Sequence, residues 1–162
     1  MLMAASLLLQ FSVATMGLIA HPYTTLSVYR SSRPRSGPET EQAHWAVQPT
    51  AKQIAAMPAA HITGGARAMV YCKVAARGTL TGCTIEAVEP HRQEVRSSAL
   101  GATSLYRLTA EDRLKVRESK KPPYVALVLV FPDKRGRLPT DCNPAFACAP
   151  YIIGPPRGKP RS

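Results

Sequence analysis

The stretch Ala66 to Cys83, ARAMVYCKVAARGTLTGC, constrains the fold of this chain more than any other. Ala66 to Val74 alternates, with Ala68, Val70, Cys72 and Val74 on one side and Arg67, Met69, Tyr71 and Lys73 on the other. That is the period of a half-buried strand. Thr79 to Val88 repeats the pattern, with Cys83, Ile85 and Ala87 on one face. A tight turn at Arg77-Gly78, where glycine tolerates a positive φ, makes the segments two arms of one antiparallel hairpin. Its register sets Cys72 opposite Cys83 and Val70 opposite Ile85, so sulfurs and apolar side chains align together. The cysteines would occupy a hydrogen-bonded pair, with Cα atoms about 5.5 Å apart. A disulfide closing so short a loop contributes roughly 2–3 kcal/mol.

Cys142 and Cys148 form a second local pair. An even number of cysteines at short spacing reads as two disulfides in an oxidising compartment. Zinc sites use tighter cysteine or Cys/His spacings, and His21, His44, His61 and His91 cluster near neither pair, so no metal or other cofactor is expected. Residues 1–20, MLMAASLLLQFSVATMGLIA, carry no charged side chain. They read as a secretory signal peptide, with small residues at Ser12, Ala14 and Ala20 for cleavage, or as an uncleaved membrane anchor about 30 Å long, against the plainer alternative of a buried core helix. The export readings are favoured, and both place the remainder outside the cytosol.

The formal charge of +11, from 21 Lys and Arg against 10 Asp and Glu, favours anionic partners. The cations are dispersed and no aromatic-interleaved groove accompanies them, so nucleic acid is not an expected partner. Residues 21–44, rich in Ser, Pro and Arg without periodicity, read as a flexible linker. Packing is expected to begin at Trp45. Thr50 followed by Gln53 matches a capping box, and Pro58 limits the helix behind it. Glu94 to Leu108 carries a helical stripe of Val95, Ala99, Ala102 and Tyr106, with Leu100 and Leu105 beside it. Thr109 to Lys121, charged with both signs, reads as a surface connection.

Tyr124 to Phe131, YVALVLVF, is the most β-prone run and lies between Pro123 and Pro132. It fits a strand with both faces covered, or one with an edge left for a partner, and it is too short to span a membrane. Residues 133–162 form a basic tail rich in Pro and Gly, with a loop clipped by Cys142 and Cys148. The fold expected is α+β: a three-stranded antiparallel sheet in β-β-α-β order, preceded by a short helix, with helices on one face.

Several of these residues fall into a family pattern: Trp45, Pro49-Thr50-Ala51, the helix ending at Pro58, Gly65 through Val74, Gly78-Thr79-Leu80, Cys83, Glu89-Pro90, Ala99-Leu100, Tyr106-Arg107 and the strand closing at Phe131. Over residues 45–132 the chain resembles the C-terminal domain of TonB-like energy transducers, in the two-cysteine form seen in some alphaproteobacterial members. It departs from the family pattern at Met57-Pro58, where a Tyr-Pro pair is usual. The resemblance implies a periplasmic protein, exported or anchored in the inner membrane by residues 1–20. The implied partners are an outer-membrane receptor or another envelope protein, an inner-membrane motor complex, and a second copy in a homodimer. It also implies capture of a partner segment as an added strand on the edge of Tyr124, Val125, Ala126, Leu127, Val128, Leu129, Val130 and Phe131. An edge strand suits that role because its unpaired N–H and C=O groups form a template.

The alternative is an exported basic structural or adaptor protein with the same fold, whose Arg30, Arg33, Arg35, Lys134, Arg135, Arg137, Arg157, Lys159 and Arg161 contact anionic envelope polymers. Catalysis is not expected, because no nucleophile motif, H-E-x-x-H, phosphate loop or C-x-x-C occurs. Glu86 and Glu89 near His91 read as a strand end and turn.

Overall fold

The computed structural model describes residues 24–139. In chain order these form strands β1 (Thr24–Val28), β2 (Glu39–Gln42) and β3 (Trp45–Val47), helix α1 (Ala51–Ala55) and a 3-10 turn (Pro58–His61). Strands β4 (Ala66–Val74) and β5 (Leu80–Glu89), helix α2 (Gln93–Thr103), β6 (Arg107–Leu108), helix α3 (Ala110–Glu118) and β7 (Tyr124–Phe131) follow. The fold is α+β. Its main sheet has five antiparallel strands in the order β2-β1-β7-β4-β5, and β3 pairs with β6 in a small second sheet. The three strands expected from the sequence are present, with β7 beside β4. The expected three-stranded sheet is nevertheless widened to five, because residues expected as linker supply two more strands.

Those added strands show why residues 21–44 escape a sequence reading. Thr24–Val28 is β-prone and sends Leu26 and Val28 into the core, but it is only five residues long. Glu39–Gln42 has no apolar residue at all and pairs through its backbone and a Ser27–Thr40 hydroxyl bond of 3.0 Å. Packing therefore begins at Thr24 rather than Trp45.

The core lies on the sheet face formed by Ala66, Ala68, Val70, Cys72 and Val74 of β4 and Val125, Leu127, Leu129 and Phe131 of β7. Alternation sends these side chains to one side of the pleat. Val95, Ala99 and Ala102 of α2 pack there, and small residues on both partners let helix and sheet approach closely. The capping box at α1 forms as expected, with Gln53 N donating to Thr50 Oγ1 at 3.2 Å and Thr50 N donating to Gln53 Oε1 at 2.8 Å.

Helix α2 stops at Thr103, short of the expected Leu108. Thr103 and Ser104 turn their hydroxyls back onto the carbonyls of Leu100 (2.8 Å) and Gly101 (2.7 Å), which competes with continuation. Tyr106 is still fully buried, edge-on to Trp45 at 4.7 Å, and burial pushes its hydroxyl pKa up. Leu100 is left exposed. Residues Thr109 to Lys121 are a second correction, because most of them form α3 rather than a loop. Thr109 caps Asp112 N at 3.3 Å, Glu111 and Asp112 occupy the first turn, and Lys115 and Arg117 the last, an order that suits the helix dipole.

The β4–β5 hairpin closes with a larger loop than expected. Ala75 N donates to Thr79 O (2.9 Å) and Gly78 N to Ala75 O (2.8 Å), with Gly78 at φ +78. This is a turn followed by a left-handed residue, the place for glycine. The register then shifts near Gly82, returning Tyr71 opposite Thr84 and Val70 opposite Ile85. Cys72 and Cys83 meet in a disulfide with Cα atoms 4.0 Å apart. That close approach marks a non-hydrogen-bonded pair, not the hydrogen-bonded pair expected, because the backbone groups of Cys72 face β7.

Candidate partner-binding edge

Prolines at 123 and 132, which have no backbone N–H, bracket β7. Every residue between them is apolar because both faces are used. Val125, Leu127, Leu129 and Phe131 enter the core, whereas Val128 and Val130 pack on the other face against Met69, Tyr71 and Ala87. The Tyr71 and Tyr124 rings lie 6.3 Å apart on that face, and the Tyr71 hydroxyl pKa is raised by burial, then by Glu86 and Tyr124.

The expectation that Tyr124–Phe131 is an edge strand needs correction. β7 lies inside the sheet, between β4 and β1. β4 pairs along its whole length, from Ala66 opposite Phe131 to Lys73 opposite Tyr124. On the other side the described part of β1 pairs from Thr24 opposite Leu127 to Ser27 opposite Tyr124. The phase of the ladder shows which groups are affected. Val74 N donates to Pro123 O (3.3 Å), so Val125, Leu127, Leu129 and Phe131 direct their backbone bonds toward β4. Tyr124, Ala126, Val128 and Val130 direct theirs the opposite way. Thr25 and Ser27 occupy the first two, and no described residue lies opposite Val128 or Val130 on that side.

The outer edges of the sheet are poorer templates. β5 carries two register shifts against β4 and an exposed Glu86, both devices that blunt an edge. β2 is four residues long with two glutamates.

The β1–β2 hairpin is moored from the side by α3 and the loop after it. Lys115 Nζ lies 3.0 Å from Glu41 and 3.2 Å from the buried Asp112, and these carboxylates, Glu41 first, hold its ammonium pKa above the usual range. Asp112 also accepts from His44 N at 2.6 Å, and Thr109 N donates to His44 O at 3.0 Å. Tyr29 N donates to Ser119 Oγ (2.9 Å), Lys120 N donates to Tyr29 O (2.7 Å), and Lys121 Nζ reaches Arg33 O (2.8 Å) while lying 5.1 Å over the Tyr29 ring. Arg30 joins Glu39 at 3.1 Å and Glu118 at 3.6 Å. The sequence reading missed this network. The spacing Thr109-x-x-Asp112 was its one visible signal, a helix cap inside a charged run.

The remaining sequence-derived candidates are dispersed. Glu89 is bound by Arg67 across the hairpin at 2.6 Å, apart from any role with Glu86 or His91. His44 meets Asp112, His61 ends the 3-10 turn, and among the described residues no three His, Cys, Asp or Glu side chains gather as a metal site. Cys142, Cys148, His21, Arg157, Lys159, Arg161 and residues 1–20 lie outside the described residues. No described helix is long and apolar enough to cross a membrane. No family model, no curated protein and no solved structure matches this chain.

Proposed function

We propose that the chain is a TonB-like, non-enzymatic protein-binding module of the cell envelope. It takes up an extended segment of an outer-membrane receptor or other envelope protein as a strand on β7. The supporting observation is that β1, from outside the 45–132 unit, already lies on β7 as an added antiparallel strand and occupies the backbone groups of Tyr124 and Ala126 that a partner segment would take. A partner segment would replace β1 step by step, taking over its backbone bonds to β7. Apolar residues at alternate positions would substitute for Leu26 and Val28 in the core. Residues 24–42 belong to the sheet rather than to a spacer, which favours a binding module over a long-reach transducer.

The probe is a synthetic peptide carrying TTLSVY preceded by Val-Thr-Val-Thr, long enough to run the whole of β7. It should bind the oxidised full chain saturably. A cross-link between Thr25→Cys and Ala126→Cys, which holds β1 in place, should weaken binding at least about tenfold, as should Val128→Pro with the fold retained. Equal affinity in the cross-linked protein would overturn strand replacement.

A further inference from the structure

Just beyond β7 the chain builds a feature unrelated to strand pairing. Asp133 is only 7% exposed, and both of its oxygens are committed. Oδ2 accepts from Gly64 N (3.0 Å) and Arg137 Nε (2.8 Å), and Oδ1 accepts from Arg135 N (2.8 Å) and Arg137 N (2.9 Å). The Gly64 amide foremost, against the opposing effect of burial, holds this carboxyl pKa well below the usual range. Asp133 N donates to Arg137 O (2.9 Å) and Gly136 N to Asp133 O (2.8 Å), closing the same loop. Gly65, at φ +79, lets the preceding turn approach this loop closely, since a Cβ there would stand 2.9 Å from the carbonyl oxygens of Phe131 and Arg137. The loop is thus fixed by its backbone, the Asp133 carboxylate and the Arg137 guanidinium, with the Lys134 and Arg135 side chains outside these contacts.

Beside this loop lies a cleft of about 360 Å³ lined by His61, Thr63, Asp133, Lys134, Arg135 and Arg137. The Asp133 charge is matched by Arg137. Lys134 and Arg135 line the cleft, and among the described residues no carboxylate pairs with either. Two cations, one of them a planar fork, match a phosphate dianion better than a single carboxylate. The Thr63 hydroxyl and the His61 ring add further hydrogen-bonding groups.

We propose that this cleft binds phosphate groups, as phosphomonoester or pyrophosphate, with Lys134 and Arg135 as the charge-bearing contacts. The site is separate from β7 capture and stands or falls without it. The phosphate can belong to a soluble molecule or to a lipid headgroup.

The test titrates the isotope-labelled full chain, with the Cys72–Cys83 disulfide intact, against pyrophosphate at constant ionic strength. Saturable shifts of the Thr63, Gly64 and Arg135 amides are expected. The double variant Lys134→Gln/Arg135→Gln keeps the backbone donors to Asp133, and an unchanged Gly64 resonance in the free protein verifies its fold. It should lose affinity about tenfold or more, and His61→Gln less. Shifts that do not saturate, that chloride reproduces, or that the double variant retains in full would overturn the proposal. Phosphatidylcholine vesicles with and without phosphatidic acid separate the sources. Retention that needs both phosphatidic acid and the two cations assigns the headgroup, whereas pyrophosphate binding without such retention assigns a soluble ligand.

Discussion

β7 lies between two hairpins that are built differently. On one side, β4–β5 pairs along all of β7, buries five residues of β4 in the core and is bridged by Cys72–Cys83. On the other, β1–β2 buries Leu26 and Val28 and is held as well by polar moorings to α3 and the loop behind it. Many of those moorings are solvent-facing: the Arg30 side chain is 50% exposed, and its partners Glu39 and Glu118 are 66% and 67% exposed. Exposed ion pairs contribute little and are screened by salt, whereas a disulfide and apolar burial are not. Under the proposed strand capture, the same central strand has one permanent neighbour and one replaceable one. Cooperative units of unequal stability within one sheet are the physical requirement for strand exchange.

The largest effects should come from the shared core. Leu127→Ala is expected to cost about 2–5 kcal/mol of global stability by denaturant unfolding. Leu26→Ala deletes the same atoms, but its loss should appear mainly as easier opening of β1–β2. An equal global loss from both variants would break the distinction between the hairpins. Removing the bridge with Cys72→Ser/Cys83→Ser should cost roughly 2–3 kcal/mol and lower the stability of β4, β5 and β7 together.

Smaller effects should separate the moorings. Lys115→Gln should speed hydrogen exchange in β1 by a few-fold and leave β4 unchanged, and raised salt should act in the same direction. The pH dependence has opposite signs at the two sites. The raised Lys115 pKa means that its contribution is complete below about pH 10 and is lost only as pH rises through the elevated value, loosening β1–β2 in strong alkali. The depressed Asp133 pKa means that its contribution is complete above about pH 4 and is lost as pH falls through the lowered value. Asp133→Asn should therefore flatten the acid side of the stability curve without altering β1 exchange.

The parts legible in the sequence were those with strong local signals. Alternation located β4 and β5 and aligned Val70 with Ile85, Thr50 and Gln53 announced α1, and YVALVLVF announced β7. The edge assignment for Tyr124–Phe131 failed because uniform apolarity shows that both faces are covered but not which neighbour takes each backbone edge. That neighbour came from Thr24–Val28, a strand too short and too flanked by Pro, Ser and Arg to signal itself. β2 is polar throughout, so only pairing with β1 makes it a strand. The Asp133 loop joins residues 69 positions apart through Gly64, a contact that no local pattern announces.

Residue-resolved hydrogen exchange of the oxidised chain tests the unequal hairpins most directly, because neighbouring amides of β7 report on different sides. If β1–β2 opens as a unit while the rest stays folded, the Ala126 amide, bonded toward Thr25, should exchange together with the β1 amides and well before Val125 and Leu127, bonded toward β4. Uniform protection of all three amides, lost only at global unfolding, would contradict the account.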